Sequence, residues 1–215
     1  MEQKEKSRQS VEFIIKCAIN EFAEKGMDFS LNTICKKNGI SKGRFYHHFE
    51  SKNSLLSACV CYSLHNLIDI INSYEIDDEI SIKENYHKYY YAIIMHWQQN
   101  YNELTIMRYA YSFSDSFFSE AALSEIRKHK EMWVQAKKKK ILTILHSGNS
   151  ELRIDDNSIA EIILIMYETT FQILENKMIN ALKSENKNET EKATEALINY
   201  HDAIIDMILY GAIKR

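Results

Sequence analysis

Apolar positions recur along this chain at the period of an α-helix. Val11, Ile14, Ile15, Ala18, Ile19, Phe22 and Ala23 fall three and four apart, which predicts one stripe on a helix over about 8–25, stopped by Gly26. Two short helices are expected at about 31–37 and 41–47, with Ser30 and Ser41 as their caps. Ser51 caps a longer helix that reaches about residue 74, where the polar segment 75–79 breaks it. Ser81, Ile82, Lys83 and Glu84 read as a capping box opening a helix that ends near Asn100. Further helices are expected at about 102–112, 118–147, 157–183 and 191–212, separated by Ser114-Asp115-Ser116, by Ser147-Gly148-Asn149 and by the polar stretch 184–190, with Asp155 or Asp156 capping the eighth.

Composition supports the helical reading. The 215 residues include no proline and only five glycines, and strands joined by tight turns would need more of both. The expected fold class is therefore all-α, with about nine helices. The net charge of −3 excludes a basic nucleic-acid coat, but the charge is unevenly placed. Residues 1–56 hold ten Lys/Arg against seven Asp/Glu, a net +3, which leaves −6 for the remainder. The first residues are polar and no stretch reaches the length of apolar residues that a membrane span requires, so a cytoplasmic protein with no membrane association is expected. Cys17, Cys35, Cys59 and Cys61 show no Cys-x-x-Cys and no disulfide-framework spacing, which fits reduced thiols in that compartment.

The segment 30–52 carries the most specific chemistry. Ile34 is apolar and Cys35 small, so a second helix can pack closely; Gly39 falls where a turn needs positive φ; Ile40 and Phe45 anchor the following helix from below. This is a helix-turn-helix pattern, and a helix held at a fixed angle can enter the major groove, where base edges are distinguishable. Ser41, Lys42, Gly43, Arg44, Tyr46 and His47 lie on the early turns of the reading helix, where base and phosphate contacts concentrate. Ser30 and Thr33 stand at the start of the supporting helix, and Lys52 with the first amides of the next helix is placed to hold a phosphate.

The run from Gly39 to Leu56, with its Gly-Ile-Ser turn, its Tyr46-x-x-Phe49 helix end and its Ser51-Lys52 pair, closely resembles the N-terminal signature of TetR/AcrR-family transcriptional regulators. Cys35 and Asn38 stand where family members usually carry alanine. The resemblance implies a three-helix DNA-binding domain, here 1–50, and a helical ligand-binding and dimerisation domain, here 51–215. It also implies a two-fold-symmetric, palindromic double-stranded DNA operator and a small-molecule effector, with repression as the usual outcome.

The eighth helix is apolar nearly all round (Ile159, Ala160, Ile162, Ile163, Leu164, Ile165, Met166, Tyr167, Phe171, Ile173, Leu174), and the ninth adds Ala193, Ala196, Leu197, Tyr200, Ile204, Ile208 and Leu209 on one stripe. A homodimer through these two C-terminal helices is expected. Large soft side chains crowd residues 86–133, most of them plain core. Tyr90, Trp97, Met107, Tyr111, Trp133, Tyr167 and Phe171 are the candidate lining of a site for an aromatic or amphipathic molecule. Lys137, Lys138, Lys139 and Lys140 point around their helix and read as solvated surface. No catalytic constellation, metal-ligand spacing or cofactor motif is present, so no enzyme activity, no metal and no cofactor are expected. The competing reading is a helical ligand-binding or protein-interaction module that does not read DNA.

Overall fold

The computed structural model describes residues 2–112, 118–147 and 155–212; within these, the side chains of residues 2, 111–112, 156, 166–175 and 210–212 are outside the description. The described residues form α-helices only, apart from one 3-10 turn at Gly26–Asp28. In order they are α1 (Glu2–Lys25), α2 (Leu31–Lys37), α3 (Lys42–His48), α4 (Lys52–Ser73), α5 (Ile82–Gln99), α6 (Tyr101–Ser112), α7 (Glu120–His146), α8 (Asp156–Lys183) and α9 (Lys187–Ala212). The all-α expectation holds.

The helix ends show the expected capping. Ser41 Oγ accepts from the Arg44 amide at 3.1 Å, Ser51 Oγ from the Ser54 amide at 3.1 Å and Asp155 Oδ1 from the Ser158 amide at 3.0 Å. Ser81 and Glu84 form the reciprocal capping box. Two boundaries differ from the sequence reading. α1 begins at Glu2 rather than near residue 8, because the polar segment is itself helix-compatible: Arg8 and Gln9 both donate to Glu5 across one turn. α9 begins at Lys187 rather than 191, because the Asn186 side chain accepts from the amides of Asn188 and Glu189 and opens the helix early. The breaks expected at Ser114-Asp115-Ser116 and at Gly148-Asn149 lie outside the described residues.

Contacts divide the chain into two compact units, the first of residues 1–66 with 102–131 and the second of 67–101 with 132–215. In the first unit, Ile14, Ala18, Phe22, Ile34, Phe45 and Leu55 are buried in one core. Phe22 meets the edges of Phe29 and Tyr109 at 5.7 and 4.9 Å. Gly26, at φ +57°, ends α1 with the Tyr109 hydroxyl 3.3 Å from where a β-carbon would stand. Glu21 is buried and salt-bridged to Lys37 at 2.8 Å, a pairing between α1 and α2 that the linear pattern does not announce.

In the second unit α5 and α9 run antiparallel. Lys83 pairs with Asp206, His87 with Asp202 at 2.9 Å, and Gln98 donates to Thr194. The bend between α4 and α5 is tied by buried Asn85, whose amide donates to the Asp77 carbonyl while its oxygen accepts from the Asp77 amide and the Tyr74 hydroxyl. The lysine run is not the solvated surface expected. Lys137 is buried with its ammonium 4.4 Å from the Trp133 ring centre, and Lys140 donates to the Tyr74 carbonyl. Their long apolar stems let them cover aromatic surface. Burial, more than the neighbouring Lys139 charge, lowers the Lys140 pKa.

His201 on α9 is 1% exposed and stacks on Tyr90 at 4.0 Å. Burial, aided by the Lys137 charge, pushes its pKa from an ordinary 6.5 down to about 3. The folded protein therefore keeps the ring neutral while the unfolded chain takes up a proton below about pH 6.5. Stability is lost as pH falls from about 6.5 to about 3, at up to about 1.4 kcal/mol per pH unit from this residue. A His201→Phe chain is expected to lack that component of the slope in urea titrations across this range.

α4 is the one described helix long and apolar enough to cross a membrane, a length and hydropathy that the sequence reading did not register. Its apolar residues Leu55, Leu56, Cys59, Val60, Leu64, Leu67 and Ile71 are buried within the protein, which accounts for that hydropathy as core. Burial also raises the thiol pKa of Cys17, of Cys59 and, to about 11, of Cys61, so these thiols carry little thiolate at neutral pH.

Candidate nucleic-acid interface

α2 and α3 are joined by a turn built from the residues the pattern singled out. Gly39 adopts φ +64°, and the Ile40 amide donates to the Cys35 carbonyl at 2.9 Å, which closes a Schellman turn at the end of α2. Asn38, exposed, donates its side-chain amide to the Ile34 carbonyl at 2.9 Å and stops the helix there. Ile34, Cys35, Ile40, Phe45 and Phe49 are all buried beneath the turn. Packing on that side fixes the angle of α3 and leaves its other side to solvent.

On the open side Ser41, Lys42, Gly43, Arg44, Tyr46 and His47 are exposed, Tyr46 by 57%. The structure thus brings six of the nine candidate DNA residues onto one short helix and its cap. A β-carbon added at Gly43 would meet nothing within 4 Å, so internal packing does not account for a glycine in this helix. Ser30 caps α2 by accepting from the Thr33 amide at 3.5 Å, and both residues are half-buried.

Lys52 is more constrained than the sequence implies. Its ammonium donates to the Met27 carbonyl at 2.6 Å and lies 4.1 Å from the Phe29 ring centre, bracing the start of α4 against the 3-10 turn. Ser51 and Ser54 exchange side-chain-to-amide hydrogen bonds at that helix start. Lys37 is held by the carboxylates of Glu21 and Glu24, which raise its pKa.

Sequence reasoning missed the contribution of α1. Arg44 Nε donates to Ser10 Oγ at 2.8 Å, Ser10 Oγ lies 3.1 Å from His48 Nε2, and the Arg44 guanidinium stands 5.9 Å from the Phe13 ring centre. The pairing spans 34 positions of sequence, and no local pattern encodes it. Burial, then the charges of His47 and Arg44, lowers the His48 pKa.

The candidate ligand residues fall in both units. Tyr90 and Trp97 are buried on α5, and Trp133 is half-buried on α7, all in the second unit. Met107 is buried on α6 within the first unit. Tyr111, Tyr167 and Phe171 sit in α6 and α8, with side chains outside the described residues. No group of three or more potential metal ligands occurs among the described residues.

Comparison with known proteins matches this geometry. Residues 14–59 match the model for bacterial regulatory proteins of the tetR family. The chain is similar to the Transposon Tn10 TetC protein of Escherichia coli, 40% identical over 58 residues that make up 26% of this chain and 29% of that protein. It is also similar to the uncharacterized HTH-type transcriptional regulator YerO of Bacillus subtilis (strain 168), 51% identical over 53 residues, 24% of this chain and 18% of that one. The matches thus span less than a third of the length of either of these curated relatives. The fold extends much further. A TetR-family regulator structure from Mesorhizobium loti MAFF303099 superposes with a TM-score of 0.72 at 18% identity, covering 97% of this chain and 98% of that one. The transcriptional regulator FadR from Bacillus subtilis, solved in complex with stearoyl-CoA, superposes with a TM-score of 0.61 at 14% identity, over 87% and 95% of the two chains. Residues 14–59 thus match the tetR family of bacterial regulatory proteins, and over 97% of its length the chain shares the fold of a TetR-family regulator structure.

Proposed function

We propose that the protein is a ligand-responsive DNA-binding transcriptional regulator, a repressor that a small amphipathic or aromatic molecule releases from its operator. Residues 1–50 are the DNA-binding domain in this reading, and 51–215 the ligand-binding and dimerisation domain. The observation that carries it is α3: a short helix fixed from below by Ile40, Phe45 and Phe49, with every polar side chain of its open face exposed. Arg44 and Lys42 supply most of the DNA affinity, Tyr46 and His47 add phosphate or base contacts, and Gly43 lets the DNA backbone come close. Ser30, Thr33, Ser41 and Lys52 border the contact and hold phosphates.

A homodimer through α8 and α9 presents two such helices to a palindromic operator. Ala196, Ala203 and Met207 on α9 and Ile162 and Ile165 on α8 are exposed in the single chain, whereas Leu197, Ile204 and Ile208 face its interior. The effector is assigned to Tyr90, Trp97, Met107, Tyr111, Trp133, Tyr167 and Phe171. The stearoyl-CoA bound by FadR from Bacillus subtilis is an amphipathic molecule on the same fold. An effector releases DNA only by preferring an arrangement of the dimer that spaces the reading helices wrongly. α4 runs unbroken from Lys52 to Ser73 and carries that change along the chain.

The test is binding to the DNA upstream of the protein's own gene, with salt titrated. Arg44→Ala is expected to weaken specific binding by about 1–3 kcal/mol, with affinity for unrelated duplex changing far less. Binding that is weak, insensitive to salt and unchanged by the substitution would instead favour a helical module that does not read DNA.

A further inference from the structure

Arg44 does not hang free on α3. Its Nε–H donates to Ser10 Oγ at 2.8 Å, and its guanidinium stands 5.9 Å from the ring centre of Phe13, three residues further along α1. Ser10 is half-buried and in turn lies 3.1 Å from His48 Nε2. A serine hydroxyl has one proton and two lone pairs. With one lone pair taken by Arg44, the hydroxyl either donates its proton to His48 Nε2 or accepts from it with the second lone pair, as the ring tautomer dictates. The burial and the positive neighbours of His48 favour a neutral ring. The result is a hydrogen-bonded chain of Arg44, Ser10 and His48, two of whose members lie on α3 and one on α1.

This chain has a consequence for reading DNA. A guanidinium carries five N–H donors, one on Nε and four on the two terminal nitrogens. Ser10 occupies the first, so the side-on pair that includes Nε is no longer open to a base. The end-on pair of terminal nitrogens remains, and this is a fork that matches the O6 and N7 acceptors of guanine. Arginine has several rotatable bonds, and an untethered side chain on this short helix could equally reach a phosphate. A tether at Nε removes most of that choice.

Resting on the DNA-reading function above, we propose that Ser10 is a positioning residue that determines specificity: it holds Arg44 so that the end-on guanidinium pair reads one base pair. Ser10 itself contacts no base in this arrangement. Its role is therefore separable from affinity, because it acts on which duplex is preferred rather than on how strongly any duplex is bound.

The experiment begins by selecting the preferred site of the wild-type protein from a pool of randomised duplexes. Binding to that site, and to versions with each base pair replaced, is then measured for wild type, Ser10→Ala, Ser10→Thr, Arg44→Ala and the double Ser10→Ala/Arg44→Ala chain. Arg44→Ala is expected to lose discrimination at one base pair per half-site by roughly 5- to 100-fold. Ser10→Ala should lose about three- to tenfold at that same base pair and little elsewhere, with affinity for unrelated duplex and its salt dependence unchanged. Ser10→Thr should restore the discrimination, and the double chain should match Arg44→Ala alone, since the serine acts only through the arginine. A Ser10→Ala chain that keeps its discrimination, or that loses affinity equally for every sequence, overturns the proposal while leaving the DNA-reading function intact. In the DNA-free, nitrogen-15-labelled protein, the Arg44 Nε proton should exchange slowly with solvent in wild type and Ser10→Thr and quickly in Ser10→Ala. Equal exchange in all three overturns the tether whatever the DNA result. A wild-type protein that enriches no duplex overturns both readings, and the exchange measurement then still reports whether the hydrogen bond exists.

Discussion

Replacing Ala203 and Met207 together by glutamate is expected to leave the protein monomeric and to weaken operator binding by roughly 10²- to 10⁴-fold. The two positions lie one helical turn apart on the open face of α9, with Met207 63% exposed in the single chain. The inward stripe of the same helix, Leu197, His201, Ile204 and Ile208, is untouched by the change. In a two-fold interface each new carboxylate is buried against its own symmetry mate or near it, so two like charges are desolvated together. Under the proposed function, loss of the dimer then removes the second DNA half-site contact and the high effective concentration that goes with it. Sedimentation of the protein alone and titration of the operator duplex check the two halves of this expectation separately. A double variant that remains a dimer would show that the exposed face of α9 is not the interface.

Phe45→Ala is expected to destabilise the first unit by about 3–5 kcal/mol and to abolish specific DNA binding with it. Phe45 is 1% exposed and packs against Tyr46 and Phe49 at ring-centre distances of 5.3 and 5.8 Å. α3 is a single helix of seven residues, too short to be stable in water without tertiary support. Removing the side chain that α3 itself buries leaves a cavity and a weakly anchored helix. Since whole domains are stable by only about 5–15 kcal/mol, a loss of this size moves the thermal midpoint far. Tyr46→Ala, one residue away and 57% exposed, should change stability by within about 0.5 kcal/mol, so the pair separates seating from surface. Equal melting curves for the two variants would mean that Phe45 does not anchor the helix.

Local chemistry was readable from the sequence wherever a few adjacent residues decide the backbone. Ser30, Ser41, Ser51, Ser81 with Glu84, and Asp155 all cap the helices they were expected to cap, because an N-cap is a contact over two or three residues. Gly39 was readable for the same reason: the turn needs positive φ, and glycine is the residue that adopts it at little cost. The misplaced starts of α1 and α9 were also local events, but they depended on polar side chains that serve equally in helices and loops.

The sequence by itself thus determined the all-α class, the order of the helices and the helix-turn-helix pattern, because periodicity and capping act within a turn or two. Only the tertiary structure decided what the long side chains do. Lys52 reaches the Met27 carbonyl, Lys137 lies buried over Trp133, Glu21 takes Lys37, and Ser10 takes Arg44 from 34 residues away. A lysine or arginine has reach enough for several partners, and its own segment prefers none of them. The choice falls to whichever carbonyl, carboxylate, ring or hydroxyl the packing of another helix brings alongside.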